Sequence, residues 1–293
     1  MGTERQLAIL KTPQAFLYEE DGTIADEILS GWAVEVEGEE KNGRVPVMTH
    51  YGYHGLVNPN CLLPVRKEEL KERASEELLV VTKRMADVLS EPRVQGALLE
   101  TLSRGSFVTA LGTKEDYTRV KTASGCEGYL ASCGLAKRKD SDGYLLAKDS
   151  ERDGWFLRQK RDITRDDITE AALAYMGVQY RWGGHSGDGI DCSGLVSMAY
   201  LLNGVLIYRD AGILPEYPVH EIPWDAKQPG DLMFMKGHVA MYLGDNRYLH
   251  STGYARDHGV VFGSLNPEDP QYRKDLEGKW LQAGSIFDEG GEK

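Results

Sequence analysis

The chain has no apolar run of about 18 residues, the length that a membrane-spanning helix needs. It is also short of positive charge, because 34 Lys and Arg residues stand against 46 Asp and Glu, for a formal net charge of −12. This charge argues against a nucleic acid or a membrane as partner. Only four of the 293 residues are cysteines, too few for a disulfide framework, so we expect free thiols.

The first residues, MGTERQLAILKTPQAF, lack the charged stretch and apolar region of a secretory signal. We therefore expect a cytoplasmic protein, or an extracellular one if a leader was removed from the sequence. The composition, with 41% hydrophobic and 27% charged residues, is typical of a globular protein. The length exceeds that of one typical domain, which predicts two or three compact domains.

The first 140 residues contain short apolar runs separated by Gly, Asn, Asp and Pro, a pattern typical of many β-strands. They also contain a weak internal repeat: EILSGWAVEVEG and TLSRGSFVTALG each place Gly before an alternating strand, and a Gly-x-x-Gly hairpin follows in both copies. We predict two small β-barrels, at residues 1–67 and 68–140. The second includes the charged segment RKEELKERASEELL, a connector or an exposed helical turn. A scaffold role and a substrate-shaping role are both open for this region.

Residues 141–164 are predicted to be a linker, and a helix is predicted from the capping-competent turn at Thr164, Asp166 and Asp167 to Gly177. A second helix is predicted within YRWGGHSGDGIDCSGLVSM, residues 180–198, where a glycine-rich polar run meets an apolar one. The predicted helix ends at Gly204.

Cys192 falls in the first turn of this second helix, with Asp191 or a nearby polar residue as N-cap. A helix start favours an anion, so this position is predicted to lower the pKa of the thiol and make it a nucleophile. A buried structural cysteine is an equally good interpretation of this stretch alone. His185, in the glycine-rich loop, is interpreted as a loop residue without a catalytic role.

Two histidines further along the chain favour the nucleophile interpretation. HVAMYL and RYLHST are strand-like runs on either side of Gly244-Asp245-Asn246, a hairpin-turn composition, and His238 and His250 are equidistant from Gly244. A hairpin closing there would place the two imidazoles directly opposite, with Cβ atoms about 4.5–5.5 Å apart. His238 would then take the thiol proton and His250 would orient its ring. Either histidine alone is better explained as an ordinary strand residue.

Five linked motifs, YRWGG, DCSGLV, GDLMFM, GHVAMYLG and YLHSTG, resemble the NlpC-type family of bacterial cell-wall cysteine peptidases. The resemblance covers about the last 130 residues and implies a reduced papain-like fold. The repeated β units in front resemble the bacterial SH3-like domains of one subgroup, the γ-D-glutamyl-L-diamino-acid endopeptidases. The expected fold is therefore α+β, with two SH3-like β-barrels followed by a papain-like catalytic domain at residues 165–293.

The resemblance implies a role for each matching residue. Cys192 matches the nucleophile, His238 the base, His250 the third polar member, and Tyr180 the tyrosine that lines the oxyanion region. The residues expected to bind substrate are Trp182, Asp191, Ser193, Arg209 and Asp210. Asp210 matches an aspartate that binds the free α-amine of an N-terminal L-alanine, with a turn cap as the alternative. Glu27 with Tyr51 or Tyr53 are the first-barrel candidates for the same amine, although an ordinary barrel role is as well supported.

The function implied is hydrolysis of the γ-D-Glu–L-diamino-acid bond of murein peptides with a free N-terminal L-Ala, in wall-peptide recycling, without metal or cofactor. The diamino acid is either lysine or diaminopimelate. The expected partner is the murein peptide, and the protein is expected to be a monomer. Three alternatives are kept: a secreted hydrolase of intact wall, a thiol amidase or acyltransferase of the same fold, and a non-catalytic wall-binding module.

Overall fold

The computed structural model describes residues 5–75 and 78–288. The chain divides into two compact units. The first contains the residues up to Lys148 together with His185–Asp188, and the second contains Asp149–Gly184 and the chain from Gly189 onward. No helix in the described ranges has the length and apolar character needed to cross a membrane.

The first unit contains two seven-stranded sheets. The strands of the first sheet are β1 (Gln6–Leu10), β2 (Gln14–Tyr18), β3 (Ile24–Leu29), β4 (Ala33–Val36), β5 (Val45–Thr49), β6 (His54–Val57) and β7 (Leu62–Val65). Helix α1 (Lys67–Ser75) follows, within the segment predicted as a connector or helical turn. The strands of the second sheet are β8 (Leu78–Val81), β9 (Met85–Leu89), β10 (Leu98–Ser103), β11 (Phe107–Lys114), β12 (Tyr117–Lys121), β13 (Glu127–Ala131) and β14 (Leu135–Lys137).

The two sheets have the same topology. The strand order is β3-β2-β6-β5-β4-β1-β7 in the first and β10-β9-β13-β12-β11-β8-β14 in the second, so each strand has its counterpart in the other copy. Gly31 and Gly105, the glycines before the alternating strands of the predicted repeat, both have a positive φ. Glycine adopts this backbone conformation without the steric penalty of a side chain. The predicted internal repeat is confirmed.

The second sheet is rolled around its own core. One apolar cluster is formed by side chains from six of its strands: Leu79, Val81, Val88, Leu102, Val108, Val120 and Leu130. A flat sheet could not bring so many strands to one cluster, so the sheet curves as a barrel does. The strand order is nevertheless open, with β10 and β14 at its ends in the described part of the chain. In the described part of the chain the second sheet is therefore curved around its core but is not a closed barrel.

Trp32 joins the two sheets of the first unit. Its Nε1–H donates to the carbonyl of Gly105 at 2.9 Å, and the N–H of Phe107 donates to the carbonyl of Ser30 at 2.8 Å. The indole is fully buried, as is Leu70 of α1. Helix α2 (Gly143–Leu146) completes this unit within the segment predicted to be a linker, and it buries Leu145.

The second unit begins with helix α3 (Asp149–Arg152) and helix α4 (Arg165–Leu173). Strand β15 (His185–Ser186) belongs to the first unit, and strand β16 (Gly189–Ile190) and helix α5 (Cys192–Leu201) to the second. The remaining strands are β17 (His220–Ile222), β18 (Leu232–Met235), β19 (His238–Gly244), β20 (Arg247–Thr252), β21 (Gly259–Ser264) and β22 (Gln282–Ser285). They form an antiparallel sheet in the order β17-β22-β18-β19-β20-β21.

Helix α4 begins where the sequence predicts, because Thr164 and Asp167 form a reciprocal capping box. It ends at Leu173, before the predicted end at Gly177, and Gly177 has a positive φ in the turn that follows. Helix α5 packs on α4 and on strands β19 and β20, and all of its residues are buried. This packing fixes the start of α5 against the central strands of the sheet. The mixed α+β class predicted from the sequence is confirmed.

Candidate active site

Cys192 is the first residue of helix α5. Asp191 precedes it in an extended conformation and caps the helix, accepting a hydrogen bond from Gly194 N at 2.6 Å. The predicted position of the cysteine is therefore confirmed. Among the four free thiols of the protein, Cys192 is buried, whereas Cys133 is exposed.

The thiol differs from the expectation in its protonation. The pKa of Cys192 is raised to about 11, because burial and the Asp191 carboxylate raise it more than the backbone N–H groups of Val239 and Ser193 and the Arg209 cation lower it. The prediction of a lowered pKa was wrong for this reason: a helix start offsets only part of the free energy of desolvating an anion. The hydrogen bond from the Val239 N–H also places the Cys192 sulfur at the beginning of β19, because Val239 follows His238, the first residue of that strand.

His238 and His250 lie in contact on adjacent antiparallel strands. Nε2 of His238 is 2.8 Å from Nδ1 of His250, and the two rings meet edge to face with centroids 5.1 Å apart. The predicted pairing of the imidazoles is confirmed. One nitrogen of this contact donates and the other accepts, which requires at least one neutral ring.

The register that produces this contact differs from the prediction. Tyr242 is opposite Tyr248 and Met241 is opposite Leu249, and one further step places His250 opposite Ala240. The hairpin turns within the predicted segment Gly244-Asp245-Asn246, but the centre of the turn lies at Asp245 and Asn246, which both have a positive φ, rather than at Gly244. The two histidines are thus a diagonal pair, displaced by two residues, and an even displacement keeps both side chains on one face.

Both imidazoles are held neutral near pH 7. Burial lowers the pKa of His238 to about 4, with a further contribution from the Arg273 cation. The pKa of His250 is lowered to about 3 by burial and, to a smaller extent, by the His238 and Arg273 charges. The resting site therefore consists of a thiol and two neutral rings, and not of the readily ionised thiol expected from the sequence.

Tyr180 lies beside the cysteine. Burial raises the pKa of its phenol, and so do the negative charges that Cys192 and Asp191 carry when ionised. The hydroxyl consequently stays protonated and can donate a hydrogen bond to a developing oxyanion. Gly253 packs against the ring, and a Cβ at that position would lie 3.2 Å from it. Trp182, two residues further on, is 61% exposed.

Asp191, Ser193 and Arg209 form a buried polar cluster. The guanidinium donates to both carboxylate oxygens of Asp191, at 3.2 Å each, and to the Ser193 hydroxyl at 2.8 Å. The Gly183 N–H also donates to the Asp191 carboxylate, at 2.8 Å. The cluster thus ties the glycine-rich loop to the start of α5. The predicted substrate contacts of these side chains stay predictions.

Asp210 accepts a hydrogen bond from the Tyr208 hydroxyl at 3.1 Å. Burial and the Asp210 charge raise the pKa of Tyr208 to about 12, so the phenol remains a donor. Asp210 is half-buried, in a segment without regular secondary structure. A partly accessible carboxylate can receive a cation, and the amine-binding role of Asp210 stays a prediction.

The first-barrel candidates occupy defined positions in their own unit. Glu27 is fully buried, and its Oε2 accepts from the N–H groups of His185 and Ser186 at 2.8 and 3.0 Å. The Tyr51 hydroxyl donates a short hydrogen bond to Asp26, and Tyr53 is half-buried. The amine-binding roles given to Glu27, Tyr51 and Tyr53 stay predictions.

His185 has partners that the sequence did not predict. It is buried in β15, with Nδ1 2.9 Å from the Glu27 carbonyl and 3.2 Å from Asp26 Oδ1. The sequence did not single out Asp26 as a partner of His185, because an acid in a strand is usually an ordinary surface residue. The two consecutive acids Asp26 and Glu27 in an apolar strand were nevertheless a usable signal. Trp280 was missed as well, and its ring lies 6.2 Å from that of His238.

The described residues contain no cluster of three or more His, Cys, Asp or Glu side chains that could hold a metal ion. The chemistry that the second unit can perform follows from its thiol, its paired imidazoles and its phenol. These are the groups of thiol-dependent acyl transfer: a nucleophile, a base with an orienting partner and a hydrogen-bond donor for an oxyanion.

Comparisons with known proteins agree with this class. The model of the NlpC/P60 family matches residues 177–274. The chain is 37% identical over 289 residues to dipeptidyl-peptidase 6 of Lysinibacillus sphaericus, covering 96% of this chain and 99% of that protein. It is 31% identical over 224 residues to the γ-D-glutamyl-L-lysine dipeptidyl-peptidase of Bacillus cereus, covering 72% of this chain and 60% of that protein.

A crystal structure of an NlpC/P60 family protein from Bacillus cereus superposes with a TM-score of 0.71 at 21% identity, covering 94% of this chain and 98% of the other. The site defines the protein as a cysteine endopeptidase. The chain belongs to the NlpC/P60 family.

Proposed function

We propose that the protein hydrolyses the γ-D-Glu–L-diamino-acid bond of murein peptides that carry a free N-terminal L-alanine. The observation that carries this proposal is the 2.8 Å contact between His238 and His250. His238 lies on the same strand as Val239, whose N–H reaches the Cys192 sulfur. The names of the two curated relatives support the dipeptidyl-peptidase specificity, and one of them states the γ-D-glutamyl-L-lysine bond.

The chemistry begins from neutral groups. Cys192 transfers its proton to the His238 ring nitrogen that does not face His250 as the sulfur attacks the carbonyl carbon. The high thiol pKa and the low imidazole pKa disfavour this transfer in the free protein. Transfer is therefore coupled to attack, where negative charge passes from the sulfur to the carbonyl oxygen and Tyr180 donates to that oxygen.

Collapse of the tetrahedral intermediate breaks the C–N bond and leaves a thioester on Cys192. His238 returns its proton to the departing amine of the diamino acid. A water molecule then attacks the thioester while His238 accepts a proton from it. The C–S bond breaks, His238 returns that proton to the sulfur of Cys192, and the dipeptide is released with a free γ-carboxylate. His250 keeps the His238 ring in one orientation throughout these steps because the hydrogen bond fixes its rotation.

The requirement for a free amine rests on Asp210. Its carboxylate and the Tyr208 hydroxyl form a half-buried acidic group that is suited to receive an alkylammonium ion. A blocked amine carries no positive charge for the Asp210 carboxylate to bind. We further propose that the enzyme recycles released peptides in the cytoplasm.

Mass spectrometry of the products from a panel of murein peptides tests the proposal. The panel contains L-Ala-γ-D-Glu-L-Lys, the diaminopimelate counterpart, and the N-acetylated form of each. The expected products are L-Ala-D-Glu and the free diamino acid, from the unblocked peptides only. Another cleaved bond would indicate an amidase or acyltransferase, and digestion of intact sacculi would indicate a wall hydrolase. No reaction with any peptide would contradict the proposal.

A further inference from the structure

A cavity of about 400 Å³ lies beside His250 in the second unit. It is lined by a mixture of apolar and charged side chains that includes His250, Asp257, Val261, Phe262, Tyr272 and Arg273. The charged members of this set are not part of the proposed chemistry. The cavity nevertheless brings a guanidinium to the ring that orients the base.

Arg273 is held in a fixed position by three groups. Its Nε and one terminal nitrogen donate to both carboxylate oxygens of Asp275, at 2.7 and 2.6 Å. The other terminal nitrogen donates to Asp257 at 3.0 Å, and the guanidinium carbon lies 3.8 Å from the centroid of the Tyr254 ring. A bidentate fork and an aromatic face together leave the guanidinium little freedom. The side chain is only 15% exposed.

We propose that Arg273 is a positioning residue that extends toward acidic pH the range in which His250 stays neutral, so that Nδ1 of His250 remains the acceptor for the Nε2–H of His238 over that range. The inference rests on the proposed roles of the two histidines. A neutral imidazole accepts at one nitrogen, whereas a protonated imidazole donates at both. Protonation of His250 would therefore break the contact that orients the base, and a nearby cation opposes that protonation.

The titratable and charged groups around His250 are His238, Tyr248, Asp257, Tyr272, Arg273 and Asp275. Arg273 lowers the pKa of His250 and Asp275 raises it, with the cation having the larger effect. Arg273 also lowers the pKa of His238, which Asp191 raises. Because Arg273 and Asp275 act with opposite sign, charge can be separated from packing by removing each in turn.

The experiment compares Arg273→Gln, Asp275→Asn and the control Arg247→Gln. Arg247 is also a cation over an aromatic ring, 4.7 Å from the Phe262 centroid, but it lies at the turn end of β20. Two measurements are made on each full-length protein: NMR titration of the ¹³Cε1-labelled imidazoles, and the acid limb of kcat/KM on the unblocked peptide.

The expected result is that the imidazoles protonate at a pH higher by roughly 0.5–1 unit in Arg273→Gln, at a lower pH in Asp275→Asn, and unchanged in Arg247→Gln. Arg273→Lys, which keeps the charge, is expected to remain close to wild type. Shifts of the same sign in Arg273→Gln and Asp275→Asn, or no shift in Arg273→Gln, would overturn the inference. Circular dichroism confirms folding of each variant across the titration.

The two proposals fail in different ways. If the wild-type protein cleaves no peptide, the proposed function fails, while the NMR titration still measures the effect of Arg273 on the imidazoles. If the peptide is cleaved but the titration does not respond to Arg273, the proposed function stands and the inference about Arg273 is wrong.

Discussion

Nε2 of His238 and Nδ1 of His250 lie 2.8 Å apart, although the two residues are not opposite each other in the register of β19 and β20. The diagonal arrangement is possible because imidazole side chains are long enough to reach across a displacement of two residues on one face. This contact makes the sheet, rather than the helix that carries the thiol, the part of the second unit that determines the geometry of the base.

Replacing Cys192 by Ala is expected to abolish turnover, to below roughly one part in 10⁴ of wild-type kcat/KM, because no other group can form the thioester. The fold is expected to survive, since the change removes one buried atom. Peptide cleavage and thermal unfolding are measured on Cys192→Ala and on the exposed control Cys133→Ala. Substantial turnover by Cys192→Ala would contradict the assignment of the nucleophile.

Alkylation of Cys192 by iodoacetamide is expected to increase with pH from pH 6 to pH 10. The thiolate is the reacting form, and its pKa is raised to about 11, so its fraction is small near neutral pH. Rates are followed by mass spectrometry for each thiol, with exposed Cys133 as the reference. A Cys192 rate that is constant from pH 5 upward would instead indicate a resting thiolate.

His250→Ala is expected to reduce kcat/KM by roughly 10²-fold, since the His238 ring loses the partner that fixes its orientation. His250→Asn keeps an acceptor oxygen and is expected to lose less. Steady-state kinetics on both variants give the comparison. Equal losses would argue that the volume of the His250 ring, and not its hydrogen bond, is what matters.

The folded protein is expected to lose stability as the pH falls from about 6.5 toward 4. The pKa values of His238 and His250 are lowered to about 4 and 3, so over this range the unfolded chain binds protons that the folded protein does not. The expected loss between pH 6.5 and pH 5 is roughly 1.6 kcal/mol for each imidazole. Urea unfolding at several pH values measures it, and the double variant His238→Gln/His250→Gln should show a smaller dependence.

Arg209→Met is expected to lower the free energy of unfolding by about 3–5 kcal/mol, because the buried Asp191 carboxylate would lose its bidentate counter-charge. The control is Arg119→Met, which removes the exposed pair with Glu127 and is expected to cost at most about 1 kcal/mol. Urea unfolding at neutral pH compares them. Similar values for both variants would show that the cluster at Arg209 does not stabilise the start of α5.

The ratio of kcat/KM for free L-Ala-γ-D-Glu-L-Lys to kcat/KM for its N-acetylated form is expected to fall by roughly 10–100-fold in Asp210→Ala. The loss should fall on the free peptide, since only the free peptide carries the ammonium. Asp225→Ala, at an acid in a short turn of the same unit, serves as the control. A wild-type enzyme that cleaves both peptides equally well would exclude an amine-binding role for Asp210.

The sequence determined those features that depend on local patterns. Capping residues and periodicity predicted the beginnings of α4 and α5, and therefore the position of Cys192 at a helix start. Glycine spacing predicted the repeat that became two sheets of identical topology. The equal distance of His238 and His250 from the predicted turn placed both on one face, and the observed displacement of two residues does not change the face.

Only the tertiary structure decided the features that depend on burial and on contacts distant in sequence. The two-residue turn at Asp245 and Asn246 set a register that the position of Gly244 alone does not specify. Packing of α5 on the sheet buried the thiol and raised its pKa, which outweighed the helix-start effect. Arg273, which lines the cavity at His250, lies in a loop without periodicity. Desolvation and charge act through space, so no local sequence pattern could have predicted their effects on the pKa values.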